Sequence, residues 1–372
     1  MNNENNSIYR ELQKHLDKLP IGFPATESGV ELRILKYLFT PKQAELATNL
    51  SFQPLPLKKI YRKVKSSGIT IEQLEHELDK MDEEGLIHFG SQKEGDEEIK
   101  YYVNAPLVIG FYELQLNRLT EDFYNDFMQY FEEAFIDEFN KTKIPQLRTI
   151  PIEESVTFEQ KISTYDELRT MIENIGEPIS VQECICRQAK DLVGDPCKKT
   201  DLRESCFAFR SFAKTYIRKG LGREIPKEEA LKILRRAEED GLVIQPGNSQ
   251  RPMAICTCCG CCCGILTNQK RLSEPAQFFA TNYYAEVDED LCVGCGICED
   301  RCNMDAIHIE DNIANVNKAR CIGCGICVPT CTSEAIQLFK KEKEIIPPIN
   351  SKATYMAIMD KKAELARVEK NS

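Results

Sequence analysis

Apolar side chains in the first hundred residues recur three and four positions apart, the spacing that gathers them on one face of a helix. Ile8–Leu19 carries such a stripe and stops at Pro20 and the Pro24 turn. Val30, Leu32, Ile34, Leu35, Leu38 and Phe39 carry the next, and Ala44, Leu46, Ala47 and Leu50 continue it behind Pro41, a natural helix start. Beyond the Pro54/Pro56 break, Leu57–Val64 and Thr70–Glu84 read as two more helices. In the second, Ile71, Leu74, Leu78 and Met81 share a face, and Gly85 suits the C-cap. Leu86-Ile-His-Phe89, a polar turn around Gly95, and Ile99-Lys-Tyr-Tyr-Val103 predict a β-hairpin.

From residue 105 the pattern changes to a connector. Leu119–Phe139 is a helix whose Phe123, Phe127, Tyr130, Phe131, Ala134 and Phe135 fall on one side, an arrangement that core packing explains better than a cofactor stripe. Pro145 and Pro151 bracket an extended piece, and Thr164–Ile175 predicts a short helix closed at Gly176. The next block opens with a strand, Ile179-Ser-Val-Gln182, leading into Cys184. A helix is expected near Leu202–Lys219 and another at Lys227–Glu239, which turns at Gly241 into a strand, Leu242–Ile244. An internal repeat occupies 285–340. The tail carries Pro347-Pro348 before a terminal helix, Lys352–Val368.

With 372 residues, 42% hydrophobic and 29% charged, the chain has the makings of two or three globular domains. No run of 18 apolar residues is present, so no membrane-spanning helix is expected. The start, Met1-Asn-Asn-Glu-Asn-Asn-Ser7, lacks the basic and apolar regions of a secretion signal, and a cytoplasmic location is expected. A net charge of −11 argues against bulk attraction to nucleic acid or an anionic membrane.

Cysteine usage changes the picture most. All 18 cysteines fall between Cys184 and Cys331, many of them adjacent or two to three residues apart, against four histidines in the whole chain. Neighbours this close do not pair as unstrained disulfides, and soft thiolate ligation selects iron–sulfur clusters, zinc or Cu(I).

Two runs stand out: Cys292-Val-Gly-Cys295-Gly-Ile-Cys298-Glu-Asp-Arg-Cys302 and Cys321-Ile-Gly-Cys324-Gly-Ile-Cys327-Val-Pro-Thr-Cys331. Both read C-x2-C-x2-C-x3-C and each is followed by an Ala-Ile pair. Three corners of a cubane must be reached from one tight loop, and Gly294, Gly296, Gly323 and Gly325 let that loop curl. A pair of zinc knuckles would instead show separated C-x2-C pairs. The runs closely resemble the bacterial two-[4Fe–4S] ferredoxins, in which the fourth cysteine of each run serves the other cluster. The resemblance implies that Cys292, Cys295, Cys298 and Cys331 hold one cluster, and Cys321, Cys324, Cys327 and Cys302 the second. It also marks a departure: the family usually has proline after the fourth cysteine, where this chain has Asn303 and Thr332.

Ten cysteines remain. Cys184, Cys186, Cys197 and Cys206 follow a C-x-C-x10-C-x8-C spacing; Cys256, Cys258, Cys259, Cys261, Cys262 and Cys263 read Cys-Thr-Cys-Cys-Gly-Cys-Cys-Cys. Metal binding is expected of them, through one or two further [4Fe–4S] clusters, a zinc site made by part of the set, or a thiol redox site. The Cys-Cys-Gly step, present at 258–260 and 262–264, resembles the cysteine-rich domain of heterodisulfide reductases.

Three helices followed by a two-stranded ribbon over roughly 28–104 resemble a winged helix–turn–helix domain. Its candidate recognition helix carries Glu72, Glu75, Glu77, Asp79, Asp82, Glu83 and Glu84 against Lys80 alone, a face that would repel phosphates. The basic stretch Lys58-Lys59-Ile-Tyr-Arg62-Lys63-Val-Lys65 reads as a solvated face. Protein docking or homo-oligomerisation is therefore the expected use. The whole chain looks like a group of anaerobe-type 4Fe–4S proteins with this same plan.

The expected architecture is α+β and multidomain: a winged-helix-like domain at 1–104, a helical connector at 105–176, a Cys-rich metal-binding region at 177–270, a two-[4Fe–4S] ferredoxin-like domain at 282–340 and a tail helix in 341–372. Three functions stay open. The chain is an electron-transfer protein serving a partner oxidoreductase, a redox-sensing winged-helix regulator, or a small reductase with a catalytic central metal. No catalytic residue is assigned: His15, His76, His88 and His308 read as packing or surface residues, and no glycine loop for nucleotides occurs.

Overall fold

The computed structural model describes residues 2–95, 97–156 and 163–371; Asp96, next to the polar turn expected around Gly95, and 157–162, from the expected connector, lie outside them. The chain divides into two compact units, residues 1–141 with 362–372, and residues 142–361. The division falls inside the expected connector.

The first unit opens with α1 (Asn2–Leu16), α2 (Val30–Leu38) and α3 (Pro41–Ala47). Thr40 and Gln43 form a reciprocal capping box that, with Pro41, fixes where α3 begins. A short strand β1 (Leu55–Pro56) leads into α4 (Leu57–Val64), and a second capping box, Thr70 with Gln73, starts α5 (Ile71–Glu83). The hairpin is β2 (Ile87–Glu94) and β3 (Glu97–Asn104), and β1 pairs with β3, giving an antiparallel sheet of order β1-β3-β2. Leu74, Leu78 and Met81 are fully buried, as their spacing requires.

Helices α6 (Glu121–Tyr130) and α7 (Ile136–Asn140) run on through a π turn at Phe131–Phe135. Their aromatic stripe is core: Phe123, Phe127, Tyr130, Phe131 and Phe135 are buried, and Tyr112 stacks on Phe127 with centroids 3.7 Å apart.

The second unit is built on a five-stranded antiparallel sheet of order β6-β4-β5-β8-β7. After α8 (Leu168–Asn174) come β4 (Ile179–Glu183), α9 (Ile185–Leu192), β5 (Glu204–Phe209), α10 (Arg210–Arg218), β6 (Gly222–Ile225), α11 (Lys227–Glu239), β7 (Val243–Pro246), β8 (Ala254–Cys258) and α12 (Gly264–Gln269). The helix expected over Leu202–Lys219 begins only at Arg210. Its first half is β5, the middle strand of the sheet. Ser205, Phe207, Ala208 and Phe209 are buried on both faces there, so the alternation that marks a strand is missing from the sequence.

The rest of the unit is the internal repeat. β9 (Tyr283–Val287) pairs with β12 (Ile336–Lys340), and β10 (Ile307–Glu310) with β11 (Ile313–Val316); α13 (Ile297–Arg301) lies between β9 and β10, and α14 (Ser351–Asn371) ends the chain. An extended segment ties this part to the sheet: Leu147 bridges to Gly247, Arg148 to Ala280, and the Ile152 N–H donates to the Cys324 carbonyl at 3.1 Å. Buried Arg148 forms an ion pair with buried Asp166, which also accepts from Asn282.

Candidate metal centres

The repeat places its thiols by exchange between halves. Positions 29 residues apart are equivalent, as Cys292 is to Cys321. The Ala314 N–H on β11 donates to Cys292 Sγ at 3.3 Å, and the Ala285 N–H on β9, 29 residues earlier, donates to Cys321 Sγ at 3.4 Å. Each half's first thiol is thus held by the strand of the other half. Close approach explains two of the glycines: a Cβ on Gly294 would strike the Asn312 carbonyl, and one on Gly323 the Tyr283 carbonyl.

Cys302, Cys321, Cys324 and Cys327 line one cavity together with Ala285, Ile307 and Ile326. Cys302, the fourth cysteine of the first run, thus meets three cysteines of the second. Its Sγ accepts from the Ala306 N–H at 3.2 Å. Burial raises the Cys302 thiol, pushes Cys324 up to about 12 and lifts Cys327 well above its ordinary value. Desolvation therefore opposes a bare thiolate here, and a bound cation would offset that cost. Cys292, Cys295 and Cys298 belong to the other loop, with Cys295 exposed and Cys298 buried. Cys331 packs against the same core and its Sγ lies 3.5 Å from Ser333 Oγ.

The residue after Cys302 shows why proline is missing. Asn303 is buried; its Oδ1 accepts from the Gly260 N–H at 2.8 Å and its Nδ2 donates to the Gly241 carbonyl at 2.9 Å. A proline could make neither bond. Asn303 joins the second-cavity loop of the repeat directly to the cysteine-rich loop.

The ten central cysteines sort into six and four, but not by position along the chain. Cys256 and Cys258 sit two apart on β8, so they share a face of the sheet; Cys206 lies on the neighbouring strand β5. Cys184 caps α9, Cys186 lies in its first turn, and Cys263 caps α12. Each of the six thiols interacts electrostatically with two of the others, and the interactions close a ring: Cys184 with Cys186, Cys186 with Cys263, Cys263 with Cys258, Cys258 with Cys256, Cys256 with Cys206, and Cys206 with Cys184. Around it, Cys184, Cys263 and Cys256 are drawn below the usual thiol range by their neighbours' S–H groups, Cys256 to about 5, while Cys186, Cys258 and Cys206 are raised.

The remaining four, Cys197, Cys259, Cys261 and Cys262, form a tight group whose sulfurs all lie within 4.8 Å of one another. Cys197 stands 3.6 Å from Cys259 and 3.8 Å from Cys261, and Cys261 stands 3.6 Å from Cys262. Among the described residues neither the ring nor the repeat forms a set this compact.

Arg187 serves both groups. It is fully buried, donates to Ser205 Oγ and the Thr257 carbonyl, and its guanidinium is held protonated by Cys184, Cys259, Cys206 and Cys197, against the pull of its own burial. Sequence reading missed Arg187 and took Asn303 only as a departure from the family's proline, because what marks each of them is burial beside residues distant in sequence.

A family model of the 4Fe–4S dicluster domain matches residues 278–346. No curated protein and no solved structure matches the chain. No helix among the described residues is long and apolar enough to cross a membrane.

Proposed function

We propose, taking the 4Fe–4S dicluster domain at 278–346 as premise, that this chain is an electron-transfer protein that carries single electrons between a docked partner oxidoreductase and the central thiol ring. The observation that carries the reading is the cavity lined by Cys302, Cys321, Cys324 and Cys327, joined through Asn303 to the Gly260 loop. In this reading Cys292, Cys295, Cys298 and Cys331 hold one [4Fe–4S] cluster, and the cavity set holds a second. Such clusters, when bound, take up and release one electron at a time.

The chain's own residues do the rest. Backbone N–H groups of Ala285, Ala306 and Ala314 donate to ligand sulfurs and spread their charge, which raises the reduction potential. Ile322, Ile326 and Leu338 exclude water from the second site. At the first loop Leu291, Val293 and Ile297 are exposed around exposed Cys295, flanked by exposed Asp288, Glu289 and Asp290. An apolar centre with an acidic rim suits a partner that is apolar in the middle and basic around it. The ring of six thiols suits a polynuclear iron–sulfur centre, because no three of its sulfurs come close enough together to share one ion.

The winged-helix reading of the first unit is supported by the order α3-β1-α4-α5-β2-β3 and by β1 pairing with β3. Its helix α5 spends its acids on internal lysines, Lys42 to Glu77 at 2.6 Å and Lys100 to Glu75 and Asp79 at 2.7 and 2.8 Å. That use favours protein docking over a DNA contact.

Anaerobic iron and sulfide quantitation with electron paramagnetic resonance of the reduced protein tests the proposal. More than about eight iron atoms per chain, with low-potential signals, is expected. Iron-free, colourless protein, or salt-dependent capture of DNA fragments, would overturn it.

A further inference from the structure

The four-cysteine group differs in kind from the other thiol sets. A metal–sulfur bond of ~2.3 Å in a tetrahedron sets the sulfurs ~3.8 Å apart. The observed separations are 3.6, 3.8 and 3.6 Å, with every remaining pair inside 4.8 Å. Sulfurs bound to four different iron corners radiate outward from the cube and stand farther apart, so this group is too small for a cubane. We infer that Cys197, Cys259, Cys261 and Cys262 hold a single tetrahedral zinc ion, separate from the iron–sulfur centres.

Four thiolates from the protein leave no open position, the mark of a structural site and not a catalytic one. Zinc is favoured over ferrous iron because the same sulfur set binds it more tightly. Charge balance agrees: four thiolates around Zn²⁺ leave two negative charges, and the buried Arg187 guanidinium, bonded to the Thr257 carbonyl on β8, is favoured in its charged form by Cys259 and Cys197.

The role follows from connectivity. Cys197 lies beyond α9, whereas Cys259, Cys261 and Cys262 lie in the turn between β8 and α12. The ion clasps these two loops. The same turn carries Cys258 and Cys263 of the ring at its ends and Gly260 in its middle, where a Cβ would strike the Asn303 backbone. Zinc therefore ties the Cys197 loop to a turn that also meets the ferredoxin loop, without carrying electrons itself.

Full-length protein purified anaerobically tests this by metal analysis and zinc K-edge X-ray absorption. One zinc per chain with four sulfur neighbours at ~2.3 Å is expected. Cys197→Ser should lose that zinc while iron and sulfide stay at wild-type levels. Absence of zinc, a mononuclear iron signal, or joint loss of iron and sulfide in Cys197→Ser would each overturn the inference. Should the variant fail to fold, the wild-type spectrum decides alone, since nitrogen or oxygen neighbours would sink it. The electron-transfer proposal has its own readout, the reduced-state resonance of the repeat, so either can fail while the other stands.

Discussion

The two halves of the repeat carry the same ligands at the same spacing and meet different surroundings. Val293 is 66% exposed and Ile297 42%, whereas their equivalents Ile322 and Ile326 are 2% and 1% exposed. Gly296 has nothing near its Cβ position; Gly325, its equivalent, lies against Ser155. One half faces solvent and the other is sealed against the 147–155 segment and the cysteine-rich loop. Motif identity therefore fixes what a loop can bind, while the residues between the cysteines fix what it is exposed to. A relay needs both conditions, an accessible end and a dry end.

Placing a charge in each half is the sharpest way to test the contrast. Ile326→Asp buries an unpaired carboxylate in the sealed half and should cost several kcal/mol, with loss of the second site's iron. Val293→Asp, in the open half, should keep full iron content and a melting temperature within about 2 °C of wild type, since surface changes usually cost under about 0.5 kcal/mol. Iron analysis and thermal melts of both variants check this, and equal losses would erase the distinction.

A methyl group makes a gentler comparison. Gly325 and Gly296 have φ of 75° and 80°, so alanine strains both by about 1 kcal/mol. Only Gly325→Ala also drives Ser155 away, so its melting temperature should fall clearly further than that of Gly296→Ala. Similar falls would mean that the segment over the sealed loop yields freely.

A third contrast is a pH dependence confined to the sealed half. Glu238 accepts from the Glu153 N–H at 3.1 Å, at the start of the turn that covers Gly325. Burial pushes its carboxyl up to about 7 from a usual value of 4.5. The folded-state value is raised, so the protonated form suits the fold, and stability falls as pH rises from about 4.5 through 7. Glu238→Gln keeps the acceptor and removes the charge. It should melt higher than wild type at pH 8, by up to about 3 kcal/mol in stability, and no higher at pH 5. Differential scanning of the holoprotein at both pH values decides.

Much of this was legible in the sequence where local rules act alone. Lys227–Glu239 and Leu57–Val64 form as helices at the expected residues, and the C-x2-C-x2-C-x3-C runs pointed to the dicluster domain matched at 278–346. The failures share a cause. β5 looked helical because a strand buried on both faces shows no alternation. The ten central cysteines looked like a group of four and a group of six by chain position. Pairing of β5 with β8 and the return of the Cys197 loop regroup them, so that Cys197 leaves its neighbours and Cys256, Cys258 and Cys263 join them. Asn303 looked like a lost proline until Gly260 stood beside it.

The exchange of N–H donors between β9 and β11 has a consequence for how the module is made. Neither copy of the repeat owns a finished site: the Cys292 sulfur needs Ala314, the Cys321 sulfur needs Ala285, and the second cavity needs Cys302. A metal core held in one half would draw on groups of the other, so maturation should be cooperative, with half-filled molecules scarce. A peptide carrying a single copy could reach the same state only by meeting its own twin head to tail, and the duplicated chain makes that symmetric encounter intramolecular.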